Sequence, residues 1–184
     1  PIRNGRSFCT RRVVARQNGE AIFNTSISYH VAEEGMSHSL DMPVVISPEE
    51  AAAKNAARDT TAPKNMLDLF GVERERITER LPEEQAPVAQ SWFRVIGPFE
   101  GCVRKQQAAL AMISDFSLYS TAFSAFPYEQ PEKVFIGASL DHAIWFHDVP
   151  DMSDWILYDT YRPWPGGARG YNRGALWGRA GQVM

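Results

Sequence analysis

The sequence is poor in cysteine and has no cluster of positive charge, and both absences narrow the class of protein. Its 184 residues contain two cysteines, Cys9 and Cys102, which lie far apart with no C-x-x-C pair. So few cysteines argue against a disulfide or metal role, and we expect two reduced thiols. The net charge is −3 and no basic block stands out. We therefore expect no nucleic-acid partner.

Long apolar runs and the common nucleotide and hydrolase motifs are missing as well. No apolar run approaches the roughly 20 residues of a membrane span. The sequence has no G-x-S-x-G elbow, no P-loop and no G-x-G-x-x-G. What is present is ordinary globular composition, 44% hydrophobic and 22% charged. This length and composition predict one large domain or two small ones with a real core.

The first forty residues read as a β-hairpin. Strand-like patterns cover 6–17 and 20–31, and Asn18-Gly19 between them is the favoured pair for a two-residue turn. Apolar and polar residues alternate along the second segment, which predicts a half-buried antiparallel strand.

The middle of the chain, 43–88, reads as a linker with short helices of its own. Ser47 followed by Pro48 and two glutamates predicts a helix start, and we expect helices over 48–58 and 65–70. The run of both charge signs over 73–80 predicts a solvated face.

The last part combines one apolar helix with several strands. We predict strands over 89–96, 134–147, 155–161 and 168–177, and a buried helix over 104–123, since its centre is apolar on all sides. Strand, helix and then strands in series indicate an α+β fold, an antiparallel meander packed on one helix.

Asp115 is the most unusual residue of that helix. A carboxylate beside a buried segment costs free energy unless it is paired or used. The alternative is structural: Ser114 and Asp115 could lie where the helix ends, and cap or kink it. The residues alone leave both open.

The stretch from Ser139 to His147 carries charged and aromatic residues together. As a strand it would bury His142, Ile144 and Phe146 on one face. His142 and His147 would then point to opposite faces, so we predict no metal site there.

Several blocks together resemble the type II acyl-CoA thioesterases, the TesB-like family of double-hotdog enzymes. They are Asn4-Gly5-Arg6-Ser7-Phe8, Ile113-Ser114-Asp115, Ser139-Leu140-Asp141-His142, Trp145-Phe146-His147, Trp155-Ile156-Leu157-Tyr158 and Ala168-Arg169-Gly170. The resemblance implies two hotdog units, each an antiparallel sheet around a long helix, with the first unit incomplete. It divides the chain into closing strands of the first hotdog over 1–42, the linker with short helices over 43–88 and the second hotdog, expected to lack its last strand, over 89–184.

The resemblance also implies a site. An Asp, matched by Asp115, and a hydroxyl, matched by Ser139, would hold the water that attacks the thioester. The family's third residue, a Gln, is expected beyond Met184. Asp141 and His142 are expected to pin the strand through hydrogen bonds. An apolar groove lined by Phe116, Tyr119 and Trp145 would take the acyl chain; these aromatics would serve equally well in a core.

The implied function is hydrolysis of fatty acyl-CoA to free acid and CoA, with no metal or organic cofactor. The alternative is a non-catalytic hotdog module that binds acyl-CoA or a partner chain. A dehydratase is less favoured, because none of the histidines lies in the central-helix stretch. By analogy with the family we expect a homo-oligomer that is cytoplasmic, or peroxisomal in a eukaryote.

Overall fold

The computed structural model describes residues 1–57, 66–77, 89–97, 99, 101–123 and 137–184. These residues divide into two compact units, an N-terminal unit, Pro1–His38, and a C-terminal unit, Ser39–Met184. Each unit contains one antiparallel sheet.

The N-terminal unit is a three-stranded sheet in the order β1 (Arg3–Asn4), β2 (Phe8–Gln17), β3 (Glu20–His30). The predicted hairpin is confirmed. Asn18 and Gly19 form its turn with φ values of 51° and 87°, the left-handed conformations that such a turn requires. The predicted half-burial is wrong, since Phe23 is 58% and Tyr29 46% exposed. No helix in this unit packs on the sheet.

The helices of the middle segment begin where their local signals predict. Helix α1 spans Pro48–Ala56, and Ser47 caps it: the Glu50 amide donates to Ser47 Oγ and the Ser47 amide donates to the Glu50 carboxylate. This reciprocal pair satisfies two of the free amides at the helix start. Helix α2 spans Met66–Leu69. The predicted ends at positions 58 and 65 lie outside the described residues.

Strand β4 (Val72–Ile77) was not predicted, because its charged residues resemble a surface segment. It pairs with β5 (Ala89–Val95). Its charges are matched by direct cross-strand neighbours. Glu73 pairs with Arg94 at 2.5 Å, and the Arg74 guanidinium lies 5.5 Å from the centre of the Phe93 ring. Such pairs stabilise antiparallel strands. Glu73, Arg74 and Glu75 are half-buried, so the predicted solvated face is wrong for these three residues, whereas Arg76 is exposed. Positions 78–80 of the predicted run lie outside the described residues. The strand lies inside the predicted linker, and the three-part division of the chain stays a prediction.

The sheet of the C-terminal unit has the order β4-β5-β6-β7, with β6 at Ile156–Gly166 and β7 at Arg169–Gly178. The two form one long hairpin around Gly167 and Ala168, which have φ values of 56° and 57°. The hairpin therefore extends through residues 163–166, which lie between the predicted strands 155–161 and 168–177.

Helix α3 (Val103–Phe123) packs on one face of this sheet, as predicted for the apolar segment. Burial on all sides is wrong, because within 108–113 only Leu110 and Ile113 are buried and Ala108 is exposed. Its contact with β7 is close: a Cβ atom at Gly170 would lie 2.8 Å from that of Ala122. The core on this face comprises Leu67, Val72, Phe93, Leu110, Ile113, Met152, Ile156, Tyr158, Leu176 and Met184.

Helix α1 and the chain before it cover the opposite face. Three tryptophans, Trp92, Trp155 and Trp177, form a second core there with Ala51 and Leu157. The Trp92 indole donates a hydrogen bond of 3.0 Å to the Ile46 carbonyl. Burial of both faces fixes the register of the sheet, because a one-residue slip would exchange the two sets of side chains.

The predicted strand 134–147 is wrong over the described residues 137–147, which form neither strand nor helix. The composition suits a strand, but a strand also needs a neighbour for its amides and carbonyls. None of the described residues pairs with this segment. His142 and Phe146, predicted to be buried, are exposed, and Ile144 is half-buried. Positions 134–136 lie outside the described residues.

Candidate active site

Asp115 lies within α3, and the helix continues beyond it to Phe123. The alternative in which Ser114 and Asp115 cap the helix end is therefore wrong. The structure brings Asp115 together with the second predicted residue: the Ser139 hydroxyl donates a hydrogen bond of 3.1 Å to Asp115 Oδ1. Asp115 is half-buried and Ser139 is exposed, so solvent reaches the pair. Their catalytic role stays a prediction.

Ser114, the residue before Asp115, is the buried centre of a hydrogen-bonded cluster. It is 2% exposed, and its hydroxyl donates to the Ala111 carbonyl at 2.8 Å. His142 Nε2 lies 3.1 Å from the same hydroxyl. The Tyr158 hydroxyl donates to the Ser114 carbonyl at 2.9 Å. The helix, β6 and the 137–149 segment therefore all meet at this one residue.

Tyr158 shapes the electrostatics beside Asp115. Burial raises the pKa of Tyr158 first, and the negative charge of Asp115 raises it further. The phenol therefore stays protonated at neutral pH and remains a hydrogen-bond donor. Sequence reasoning included this residue in a family-like block but gave it no role at the site. The available signal was its position in β6, where Ile156, Tyr158 and Thr160 share a face by strand alternation.

The three aromatics predicted to contact the acyl chain have different surroundings. Phe116 packs at the edge of the α3-side core, with its ring centre 6.4 Å from that of Phe70. Trp145 is 72% exposed. The side chain of Tyr119 lies outside the described part of the chain. Of the two aromatics with described side chains, Phe116 lies at the edge of the core and Trp145 at the surface, and the role of all three stays a prediction.

Neither a metal site nor a membrane helix is found in the part of the chain that the structure describes. Within it, no three His, Cys, Asp or Glu side chains are grouped closely enough to hold an ion. No helix there combines the length and hydropathy needed to cross a bilayer.

Comparison with known proteins gives one consistent family. The family model described as acyl-CoA thioesterase C-terminal domain matches residues 48–184. Acyl-coenzyme A thioesterase 8 of Mus musculus is 33% identical over 98% of this chain. Acyl-CoA thioesterase 2 of Haemophilus influenzae is 31% identical over 100% of the chain and 68% of its own length. The chain spans 61% of the length of the mouse relative.

Solved structures agree. The acyl-CoA thioesterase II TesB2 from Mycobacterium marinum superposes with a TM-score of 0.80 at 30% identity, covering 100% of this chain and 67% of that one. A protein from Alicyclobacillus acidocaldarius, described as having a hotdog fold, matches with a TM-score of 0.61 at 18% identity, covering 100% and 66%. The second shows the fold alone. The predicted α+β hotdog fold is confirmed, and the chain belongs to the acyl-CoA thioesterase family.

Proposed function

We propose that this chain hydrolyses acyl-CoA thioesters to the free fatty acid and CoA, with Asp115 as the general base. The observation that carries the proposal is the hydrogen bond from Ser139 to Asp115 Oδ1. It leaves Oδ2 available to a water molecule, and it leaves lone pairs on the Ser139 oxygen for the same water. A base within hydrogen-bond reach of the proton that it removes is the geometric requirement of this chemistry.

The reaction balances with the groups of the site alone. Asp115 takes a proton from the water while the water oxygen bonds to the thioester carbonyl carbon. The tetrahedral intermediate then collapses, the carbon–sulfur bond breaks, and the CoA sulfur leaves with the electron pair. The proton held by Asp115 neutralises the thiolate, which returns the carboxylate for the next cycle. The acyl chain would lie against Phe116, Tyr119 and Trp145, and we expect a homo-oligomer by analogy of fold alone.

The test is thiol release from acyl-CoA substrates by the parent chain and three variants. We expect Asp115→Asn to lower kcat by about 10²–10⁴-fold, the usual contribution of a general base. We expect Ser139→Ala to lower it by about tenfold, as for one lost hydrogen bond. Asp41→Asn, at an exposed carboxylate outside the site, is the matched control and should leave kcat unchanged.

Two outcomes would contradict the proposal. Equal activity of the parent and Asp115→Asn would remove Asp115 from the role of base. A parent chain that binds acyl-CoA without releasing thiol would favour the non-catalytic binding module instead.

A further inference from the structure

The segment 137–149 has no regular backbone structure, yet it carries a residue of the candidate site. Among the described residues, side-chain hydrogen bonds join it to α3 at two points. Ser139 donates to Asp115, and His142 contacts Ser114 at 3.1 Å. Residues 114 and 115 are neighbours in one helix, whereas Ser139 and His142 are three residues apart in the segment. The two hydrogen bonds therefore attach the segment to adjacent positions of the helix.

The direction of the second contact follows from counting protons. A serine hydroxyl has one proton, and that of Ser114 is donated to the Ala111 carbonyl at 2.8 Å. Ser114 Oγ therefore meets His142 as an acceptor, and His142 must donate from Nε2. The neutral imidazole then carries its proton on Nε2, and Nδ1 is left as the acceptor.

The acceptor is rigid, although the donor is exposed. Ser114 is 2% exposed inside α3, and the Tyr158 hydroxyl holds its carbonyl at 2.9 Å. A hydrogen bond to so fixed a partner restricts the residue that makes it. One contact would leave the segment free to rotate about it, whereas a second contact restricts that rotation.

We propose that His142 is a positioning residue that, through Ser114, holds the 137–149 segment so that Ser139 stays in hydrogen-bond contact with Asp115. Its kinetic consequence rests on the proposed thioester hydrolysis. The placement of Ser139 itself does not, and it can be tested without turnover.

The kinetic test compares His142→Leu, which removes the donor, with His142→Gln, whose amide nitrogen can still donate to Ser114. We expect the Leu variant to lower kcat about tenfold with KM within twofold, as one lost hydrogen bond would. We expect the Gln variant to stay within about threefold of the parent, because its amide nitrogen keeps a hydrogen-bond donor for Ser114. His147→Leu is the matched control, an exposed histidine of the same segment, and should leave both constants unchanged.

A double-mutant cycle with Ser114→Ala separates positioning through Ser114 from other effects of His142. If His142 acts through Ser114, then His142→Leu costs nothing further in the Ser114→Ala background. Additive losses in the double variant, or equal losses for Leu and Gln, would overturn the proposal.

Nitrogen-15 NMR of the imidazole and the backbone tests the positioning role of His142 without turnover. If no protein, the parent included, releases thiol, that result contradicts the proposed function but not the positioning role. We expect His142 to be the Nε2–H tautomer, and its Nε2 signal to shift in Ser114→Ala. We expect the order parameters of the 139–142 amides to fall in His142→Leu and to be kept in His142→Gln. An Nδ1–H tautomer, or order parameters that do not change in His142→Leu, would overturn the proposal.

Discussion

Substitution of Tyr158 by Phe tests how the sheet supports the helix beneath the candidate site. The phenol is 3% exposed, and its hydroxyl donates to the Ser114 carbonyl at 2.9 Å. Phe preserves the ring and its packing beside Phe93, whose ring centre is 6.4 Å away. The substitution thus removes one buried hydrogen bond and little else.

The expected loss follows from what remains at the acceptor. A helix carbonyl at position 114 still has the backbone amide four residues later as a donor. We therefore expect a loss of about 1 kcal/mol, near the mean for one hydrogen bond, instead of the larger penalty for an orphaned buried group. For a chain of this size, that corresponds to a fall in Tm of about 2–4 °C.

The pH dependence of the free energy of unfolding gives a second, independent prediction for Tyr158. The folded pKa of Tyr158 is raised above its ordinary value of 10.0, so the folded state holds the proton more tightly than the unfolded chain. Its contribution to stability is complete below pH 10.0 and is lost as the pH rises above that value. Tyr158→Phe should therefore be the less stable protein at pH 7, and should lose less stability than the parent above pH 10.0.

Urea unfolding followed by circular dichroism at the two pH values measures both effects. Tyr161→Phe is the control, because Tyr161 is 37% exposed and its ring faces Arg173 at 5.6 Å. We expect that control to change stability by less than about 0.5 kcal/mol. Equal losses in the two variants at pH 7, or a Tyr158→Phe protein as stable as the parent there, would refute the reasoning.

Three further predictions follow from single contacts. Burial raises the pKa of Asp159 above its ordinary value of 3.8, so ionisation of this carboxyl destabilises the fold as the pH rises above that value. Asp159→Asn should therefore be more stable than the parent at pH 7 in urea titrations. Gly170→Ala should cost about 1–3 kcal/mol in the same assay, because its new methyl group would meet Ala122 at 2.8 Å. A hydrogen bond from the Lys105 amide lowers the pKa of the exposed Cys102 thiol. Iodoacetamide should therefore modify Cys102 before the half-buried Cys9, which peptide mass spectrometry would show.

Each of these has a contrary result. A less stable Asp159→Asn protein at pH 7 would mean that the charge is stabilised in the fold. A Gly170→Ala protein with the stability of the parent would show that α3 and β7 can move apart to fit the methyl group without a cost in folding free energy. Equal labelling of both cysteines would contradict the pKa shift.

Elements with local signals could be predicted from the sequence. The first hairpin depends on Asn18-Gly19, and α1 depends on the capping pair of Ser47 and Glu50, all of which act over a few residues. The apolar composition of α3 was enough to predict that the helix packs on the sheet, but not that one side of it stays exposed, as at Ala108.

Elements that depend on distant partners could not be predicted in the same way. Strand β4 is stabilised by contacts such as Glu73 with Arg94, 21 residues apart, so its charge run looked like a solvated surface. The 137–147 segment shows the reverse case, with strand composition but no pairing partner among the described residues.

The candidate site was only partly accessible from sequence. Residue type and burial drew attention to Asp115, but they left the helix-end alternative open, and the choice of Ser139 came from the family resemblance. The contact of His142 with Ser114 joins residues 28 apart through an irregular segment, a geometry that no periodicity encodes.

In the proposed hydrolysis, Asp115 activates the water that cleaves the thioester. Its most direct test is thiol release from acyl-CoA by the parent, Asp115→Asn and Asp41→Asn proteins, prepared side by side and matched in Tm. We expect release by the parent and the Asp41 variant, and a loss of about 10²–10⁴-fold for the Asp115 variant. An Asp115→Asn protein that releases CoA at the parent's rate would contradict it.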